Sequence, residues 1–429
     1  MVEPSERLPP RTLPVAYVAA AHVSLLAAFL AIALEPSRFM GFYYHPKMLG
    51  VVHLVTLGWI TGTTLGLSYV AGPLALRTTV RSGWVDGAAC ALFLVGASGV
   101  ATHFWLDEYA AVAWAGVLVL PALVVVAVRM AKGLRTGGAP LPVRLHVACA
   151  YGNLLLAALL AIHLALRKSG EAHAVPLHHV QAHAHLAAVG WATLMVMGVG
   201  YRLLAMLFPA APPGDRTAWT TLLLFEAGIL GLAGALFWKG PLWPFALLVA
   251  AALAVFLGAV VRMRFRLMPA PKKLRRPDYG VLHVGFALVC LAAATGFGLF
   301  LALTPDPKPD AVKIYGVLGL LGFLSQMIVG VEMRLLPMFA FTEAFARGGH
   351  KALPPSPHDM PWRKLQAVSL VAWLMGVPLL TWGFLGEVGD ASGEGGVEGA
   401  AWILAAGTVA AALSSARVLR LAYRAPSRR

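Results

Sequence analysis

The sequence predicts an all-α, polytopic membrane protein, with about twelve helices crossing the bilayer as a single transmembrane domain over residues 1–429. Three observations predict this fold. The chain is 59% hydrophobic and 12% charged, with a mean hydropathy of +0.75, whereas soluble domains average about 25% charged residues. Its apolar runs reach the length of about 20 residues that a helix needs to cross a bilayer. None of the runs alternates with a period of two, which excludes a membrane β-barrel.

Twelve apolar runs have spanning length, and polar or proline-rich segments separate them. Because backbone amides cannot stay unpaired in hydrocarbon, each run is predicted to be a helix. The first run is not followed by a small-residue cleavage site, so we interpret it as a retained helix and not as a signal peptide. The predicted spans are residues 14–34, 48–74, 84–104, 109–130, 144–166, 177–208, 218–238, 242–262, 280–303, 312–341, 362–385 and 398–423.

The basic residues predict the orientation of the chain in the membrane. Of the 34 Lys and Arg, 27 lie at the two termini and in the loops after even-numbered spans. The positive-inside rule then predicts a multi-pass protein of the inner (cytoplasmic) membrane with both termini in the cytoplasm. The formal net charge of +15 follows from these loops, so no nucleic-acid partner is predicted.

The three cysteines all lie inside apolar runs, and none forms a CxxC or CxxCH motif. The sequence therefore predicts no disulfide framework, no thiolate metal site and no covalent attachment of a c-type haem.

An internal repeat divides the chain into three units of four helices. HLVTLGWITGTTLGLSY, residues 53–69, matches HLAAVGWATLMVMGVGY, residues 185–201, at a separation of 132. A further 132 residues on, VLGLLGFLSQMIVGVEM keeps the glycines but has Val317 in place of the histidine. Repeats of this kind predict units that pack around a common pseudo-threefold axis, with the second, sixth and tenth spans innermost. The predicted units are approximately residues 14–135, 143–266 and 279–424.

Histidines are concentrated in the predicted outer half of the membrane. Five of the 14 lie in EAHAVPLHHVQAHAH, residues 171–185. Ionisable side chains are costly in a bilayer, so a function is their default hypothesis, and imidazole is the commonest metal ligand near neutral pH. His179 and His183 share one face of a helix, and His178 and His185 share another. The alternative is a water-exposed, pH-responsive patch. The candidate metal ligands are His178, His179, His183, His185, His45 and His163.

The histidines that begin the matching segments, His53 and His185, are the candidate cofactor ligands. A histidine aimed into a helical bundle can be an axial ligand of haem. Trp59 and Trp191 occupy equivalent positions in the repeat and are candidates to stack beside a macrocycle, although packing alone also explains them. No catalytic residue is identified from the sequence.

Fewer polar residues lie in the other spans. Glu226 and Glu332 interrupt the seventh and tenth spans and are candidate proton-relay groups. For three histidines nearer the cytoplasmic side, we expect hydrogen bonds to neighbouring helices and no cofactor; these are His22, His146 and His283.

The pattern HLxxxGWxTxxxxGxxY on twelve predicted spans resembles subunit I of the haem-copper oxidase superfamily. It is most similar to short, divergent relatives, including the NnrS-type haem and copper proteins linked to nitric oxide. The resemblance implies that His53 is an axial ligand of haem b and that His183 or His185 is a copper ligand. The seventh and tenth spans lack the family's histidines, so a complete oxygen-reducing centre is not expected. Electron transfer or nitric oxide handling, with a respiratory-chain partner, is the implied function.

Two other functions fit the sequence. Twelve spans with cytoplasmic termini are typical of secondary transporters, and the histidine cluster could bind a transported metal, although a threefold parallel repeat is unusual there. A metal-transport or assembly factor could use the same cluster to pass copper or haem to a partner enzyme. Stoichiometric haem, metal uptake or co-purification with a respiratory complex distinguishes these functions.

Overall fold

The computed structural model describes residues 11–78, 80, 82–170, 175–266, 268, 277–347, 353–386 and 390–423, and its regular secondary structure there is helical, with turns and irregular segments between the helices. Twelve of its helices are long and apolar enough to cross a membrane, in agreement with all twelve predicted spans. They are α1 (Thr12–Leu34), α2 (Pro46–Ala75), α3 (Trp84–Trp105), α4 (Tyr109–Thr136), α5 (Leu141–Ser169), α6 (Leu177–Leu207), α7 (Asp215–Trp238), α8 (Trp243–Phe265), α9 (Tyr279–Leu303), α10 (Pro309–Arg347), α11 (Arg363–Gly383) and α12 (Ala391–Tyr423).

Three helices form the interior of the bundle. In the most apolar part of α2, α6 and α10, 61%, 72% and 61% of residues are buried, against 22–50% in the other nine spans. The prediction that the second, sixth and tenth spans are innermost is thus confirmed. Elsewhere the chain adds one short helix, Ser37–Met40, between α1 and α2.

Each inner helix contains a π-helical segment, in which each backbone hydrogen bond joins residues five positions apart and the helix is wider. The segments are Leu54–Thr61 in α2, Leu186–Thr193 in α6 and Val317–Ser325 in α10. The first two begin directly after His53 and His185, whereas the third begins at Val317, the equivalent position itself, and the three segments contact one another in pairs. π-helical segments are rare and frequently mark functional sites, which directs attention to this centre.

Glycines let each inner helix approach the first helix of its own unit. A Cβ atom on Gly66 would lie 2.6 Å from the Cβ of Tyr17, and one on Gly198 would lie 2.6 Å from the Cβ of His146. Gly330, at the equivalent position, would meet the backbone carbonyl of Gly280 at 2.7 Å. These repeated contacts agree with three units, and the pseudo-threefold axis itself stays a prediction.

Candidate functional site

A cavity opens between α2, α3, α4, α5 and α6, in the half of the bundle where α2 and α6 begin. Its empty volume is about 1170 Å³, counting the part that opens to the surface, and most of its wall is apolar. Small side chains leave this room, among them Ala157, Ala161, Ala187 and Ala188. Ligand sites are commonly apolar cavities of this kind with a few polar groups in the wall.

Two histidines from different inner helices line this cavity. The imidazole rings of His53 and His183 are nearly parallel, with an interplanar angle of 10° and centroids 6.4 Å apart. The Nδ1 of His53 donates to the carbonyl of Leu49 at 2.7 Å, and the Nδ1 of His183 donates to the carbonyl of Ala157 at 3.0 Å. Each Nδ1 is therefore engaged, which leaves Nε2 of both rings as the nitrogen available to a ligand.

The backbone bonds also fix the two rings in place. A metal-ligating histidine almost always donates its second ring nitrogen to a carbonyl or carboxylate, which sets its tautomer and orientation. His53 is further held by Phe104, whose ring stacks on it at 4.7 Å. The pair thus has the supporting contacts that a ligand pair needs.

His185, the other candidate cofactor ligand, contacts an aromatic ring of α10. Its Nδ1 donates to the carbonyl of Gln181 at 2.8 Å, and its ring faces Tyr315 of α10 with centroids 6.0 Å apart and planes at 24°. His185 is not among the cavity residues. In the chain, 130 positions separate His53 from His183 and also His185 from Tyr315. The two ring pairs therefore occupy equivalent positions of the predicted sequence repeat.

The two candidate tryptophans lie in unlike surroundings. Trp191 lines the cavity, and its Nε1 donates to Thr61 Oγ1 at 3.2 Å, which links the π segments of α6 and α2. Trp59 is fully buried away from the cavity, with its ring edge-on to His22 at 5.0 Å. Of the two, only Trp191 lines the cavity that His53 and His183 line.

The remaining candidate metal ligands lie apart from the cavity, at helix ends or on the surface. His178 and His179 bond the carbonyls of Leu236 and Phe237, in the last turn of α7, at 3.0 and 3.2 Å. Such bonds satisfy carbonyls that a helix leaves without a partner at its end. His45 accepts from the backbone amide of Lys47 at the start of α2, and His163 is exposed on α5. His173 of the same cluster lies outside the described residues.

A binding site for a metal ion alone is not seen among the residues that the structure describes. No group of three or more His, Cys, Asp or Glu there is arranged to hold an ion. The six candidate metal ligands are thus not brought together, and their metal role stays a prediction.

Polar residues that sequence reasoning missed line the same cavity. They are Tyr44, Tyr109 and Lys168, whose ammonium lies 5.5 Å from the centroid of the Tyr109 ring. Burial raises the pKa of the Tyr44 phenol, so this hydroxyl stays a hydrogen-bond donor at neutral pH. A lysine near the end of one span and tyrosines in the neighbouring loops are too common in membrane proteins to have indicated a site.

Two buried polar clusters lie elsewhere in the bundle. Arg129 of α4 forms a bidentate ion pair with the buried carboxylate of Asp86, which also accepts from the hydroxyl of Tyr69. Glu332 accepts from Ser415 at 2.7 Å and lies 3.6 Å from the Nε2 of His22. Both clusters join helices of the bundle, as charged pairs in membranes commonly do.

Two of the three histidines that were expected to make only structural contacts differ in their hydrogen bonds. His146 bonds Thr221 of α7 at 3.2 Å, which is the predicted contact with a neighbouring helix. His283 is buried, and neither of its ring nitrogens has a hydrogen-bond partner among the described residues.

Comparison with known proteins gives no family for this chain: no protein-family model matches it, and no curated protein matches its sequence.

Proposed function

We propose that this protein is a haem-binding integral membrane protein that transfers electrons, with His53 and His183 as the axial ligands of one haem b. The observation that carries the proposal is the histidine pair itself. Two parallel imidazoles from different helices line one large apolar cavity, and each has its Nδ1 bonded to a backbone carbonyl.

The spacing of the two rings fits a single iron between them. Metal–nitrogen bonds to imidazole are about 2.0–2.1 Å long, so two imidazoles on opposite sides of one ion have centroids roughly 6 Å apart. The centroids of His53 and His183 are 6.4 Å apart, so the two rings are close enough for both to hold one iron.

The number of ligands favours haem over copper. A protein site for a bare metal ion needs three or four side-chain ligands, whereas the cavity wall offers two imidazoles among its described residues. Haem supplies four equatorial nitrogens and a redox-active iron, so two histidines complete its coordination. The apolar wall suits the macrocycle, and Trp191 is part of that wall.

The polar residues of the cavity fit the other end of such a cofactor. Haem b carries carboxylate groups on one edge, and these need cations or hydrogen-bond donors where they leave the apolar wall. Lys168, Tyr44 and Tyr109 supply one ammonium and two hydroxyls.

The ligand set favours electron transfer over gas chemistry. A haem held by both His53 and His183 would have no open position for oxygen or nitric oxide. This agrees with the missing histidines of the seventh and tenth spans. Relative to the haem-copper oxidase resemblance, His53 keeps its role, while its partner comes from the sixth helix and not from the tenth. A location in the cytoplasmic membrane, with this cavity near the outer leaflet and a respiratory-chain partner, completes the proposal.

The test is the absorption spectrum of the full-length protein, purified in detergent from cells supplied with haem precursor. We expect a Soret band, one haem b per chain by the pyridine haemochrome assay, and a low-spin, bis-histidine electron paramagnetic resonance signal. Dithionite reduction and reoxidation should be reversible. A colourless protein that also fails to take up added haemin would refute the proposal, and a high-spin signal would refute the bis-histidine ligation.

A further inference from the structure

A second site lies on α7, at the glutamate that interrupts its apolar sequence. Glu226 stands near the middle of α7, which runs from Asp215 to Trp238. At about 1.5 Å per residue, more than 15 Å of helix separates it from either end. Its carboxyl group is therefore deep in the hydrocarbon layer, where a charge is costly.

Glu226 adjoins the lipid-facing surface of the bundle. The side chains of Leu223 and Leu230, three residues before it and four after, are 63% and 47% exposed. Residues three and four apart share one face of a helix, and Glu226 itself is only half-buried on that face. Because the bundle exterior at this depth is lipid, the carboxyl group is accessible from the acyl chains and not from water.

One buried amide holds the carboxyl group. The Nδ2 of Asn153, on α5, donates to Glu226 Oε1 at 3.0 Å and to the carbonyl of Gly190 at 3.0 Å. Asn153 is 4% exposed, and Gly190 leaves it space, since a Cβ there would lie 3.1 Å from the Cβ of Asn153. Both hydrogens of the amide are thus used, one on the acid and one on the π segment of α6.

The charged and titratable groups around Glu226 do not neutralise it. Among the described residues, the thiol of Cys149 on α5 interacts electrostatically with Glu226 and carries no positive charge. On the same helix, His146 bonds Pro142 and Thr221. The four histidines of α6 each bond a backbone carbonyl, and α8 has its charges in its last turn; these residues are His178, His179, His183, His185, Arg262 and Arg264. No described Lys, Arg or His forms an ion pair with Glu226.

We propose that Glu226 and Asn153 form a lipid-facing carboxylic acid site, in which the carboxyl group keeps its proton at neutral pH and is reached by reagents from the membrane. The hydrogen bond from Asn153 opposes retention of the proton, because it stabilises the carboxylate. The site does not depend on a cofactor, so its test is independent of the haem proposal.

The chemistry of such a site makes it a target for lipophilic carbodiimides. The neutral acid adds across a C=N bond of the reagent, as its oxygen bonds the carbodiimide carbon and its proton moves to nitrogen. The acyl group then shifts from oxygen to nitrogen and leaves a stable N-acylurea. The whole reagent is added, nothing leaves, and no oxidant is needed.

The experiment is to label the full-length protein in liposomes with dicyclohexylcarbodiimide and to map the adduct by mass spectrometry. We expect the adduct on Glu226, at a rate at least ten times that of a water-soluble carbodiimide. Glu226→Gln should abolish it. Glu332→Gln is the matched control and should leave it unchanged, because Glu332 is enclosed between α10 and α12.

A variant of the amide tests the role of Asn153. Asn153→Leu removes the hydrogen bond that favours the carboxylate, so labelling should continue at higher pH than in the natural sequence. Size-exclusion chromatography and thermal unfolding show whether each variant is folded. The proposal is overturned if Glu226 is not labelled, if the water-soluble reagent labels it equally fast, or if folded Asn153→Leu has an unchanged pH profile.

Discussion

The pair His53–His183 and the pair His185–Tyr315 are equivalent contacts at two successive interfaces of the bundle. In both pairs the partners are 130 positions apart, the rings are close to parallel, and the first histidine bonds the carbonyl four residues before it. The first pair has a second imidazole and a cavity beside it, whereas the second has a phenol and does not line that cavity. Similar backbone contacts thus place rings at both interfaces, and the side chains decide which interface can bind a ligand.

The third interface extends the comparison. By the same repeat offsets, its two residues are Val317 and Val51, both buried and apolar. By position in the predicted repeat, the three residue pairs are thus imidazole with imidazole, imidazole with phenol, and valine with valine. Only the first member offers two metal ligands.

Removing either imidazole of the first pair has the largest expected effect. His53→Ala or His183→Ala leaves one axial ligand, so we expect the Soret absorbance per chain to fall at least tenfold, or the residual signal to become high-spin. His185→Ala is the matched control and should keep the full low-spin spectrum. Equal losses of Soret absorbance in all three variants would mean that His53 and His183 are not the ligand pair of the haem.

Filling the cavity tests whether haem binding needs the space of the cavity in addition to the two histidines. Ala161→Phe places a large ring among the cavity residues while both histidines stay, so haem content should fall several-fold. Ala292→Phe, on an exposed position of α9, is the control for adding the same ring elsewhere. Haem per chain is measured by the pyridine haemochrome assay, and thermal unfolding checks that both variants fold. Full haem content in folded Ala161→Phe would contradict the location of the site.

A smaller effect is expected at the polar end of the cavity. Lys168→Gln removes a charge that would face a carboxylate; a charge-assisted hydrogen bond contributes about 1.5–3 kcal/mol, and less where water reaches it. We expect the affinity for added haemin to weaken by roughly three- to tenfold, which corresponds to about 0.7–1.4 kcal/mol. Titration of haem-depleted protein measures it, with Lys239→Gln, exposed at the end of α7, as the control.

The smallest change is expected when the second pair is made to match the first. Tyr315→His gives two imidazoles at the second interface, but the large cavity still lies at the first. The haem content should therefore stay at one per chain. A second low-spin haem would show that two imidazoles are sufficient and that the cavity is not the deciding feature.

The sequence predicted the twelve helices correctly because a backbone in hydrocarbon must form its hydrogen bonds internally. Twelve long apolar runs must form helices, and the repeated glycines indicated which three helices pack most closely, as Gly66 and Gly198 show. It also singled out His53 and Trp191, since polar or large amphipathic residues at the same offset in two segments are unlike the leucine and alanine around them.

Choosing between His183 and His185 required the tertiary structure. Two residues two positions apart are about 200° apart around a helix, so they face nearly opposite sides, and the sequence does not say which side meets α2. The π segment that follows His185 widens the turn and shifts the register further. The role of His178 and His179 was also hidden, because the helix end that they bond, at Leu236 and Phe237, is 58 residues away in the chain.

The amino-acid sequence by itself determined the membrane setting, the number of helices and the segments that meet at the centre, because these follow from apolar length and from glycine spacing. Only the tertiary structure decided which rings face each other, where a cavity remains and what holds Glu226. Those features depend on contacts between helices that are more than 70 residues apart in the chain, such as Asn153 with Glu226, and on the rotation of each helix about its own axis, which local sequence pattern does not fix.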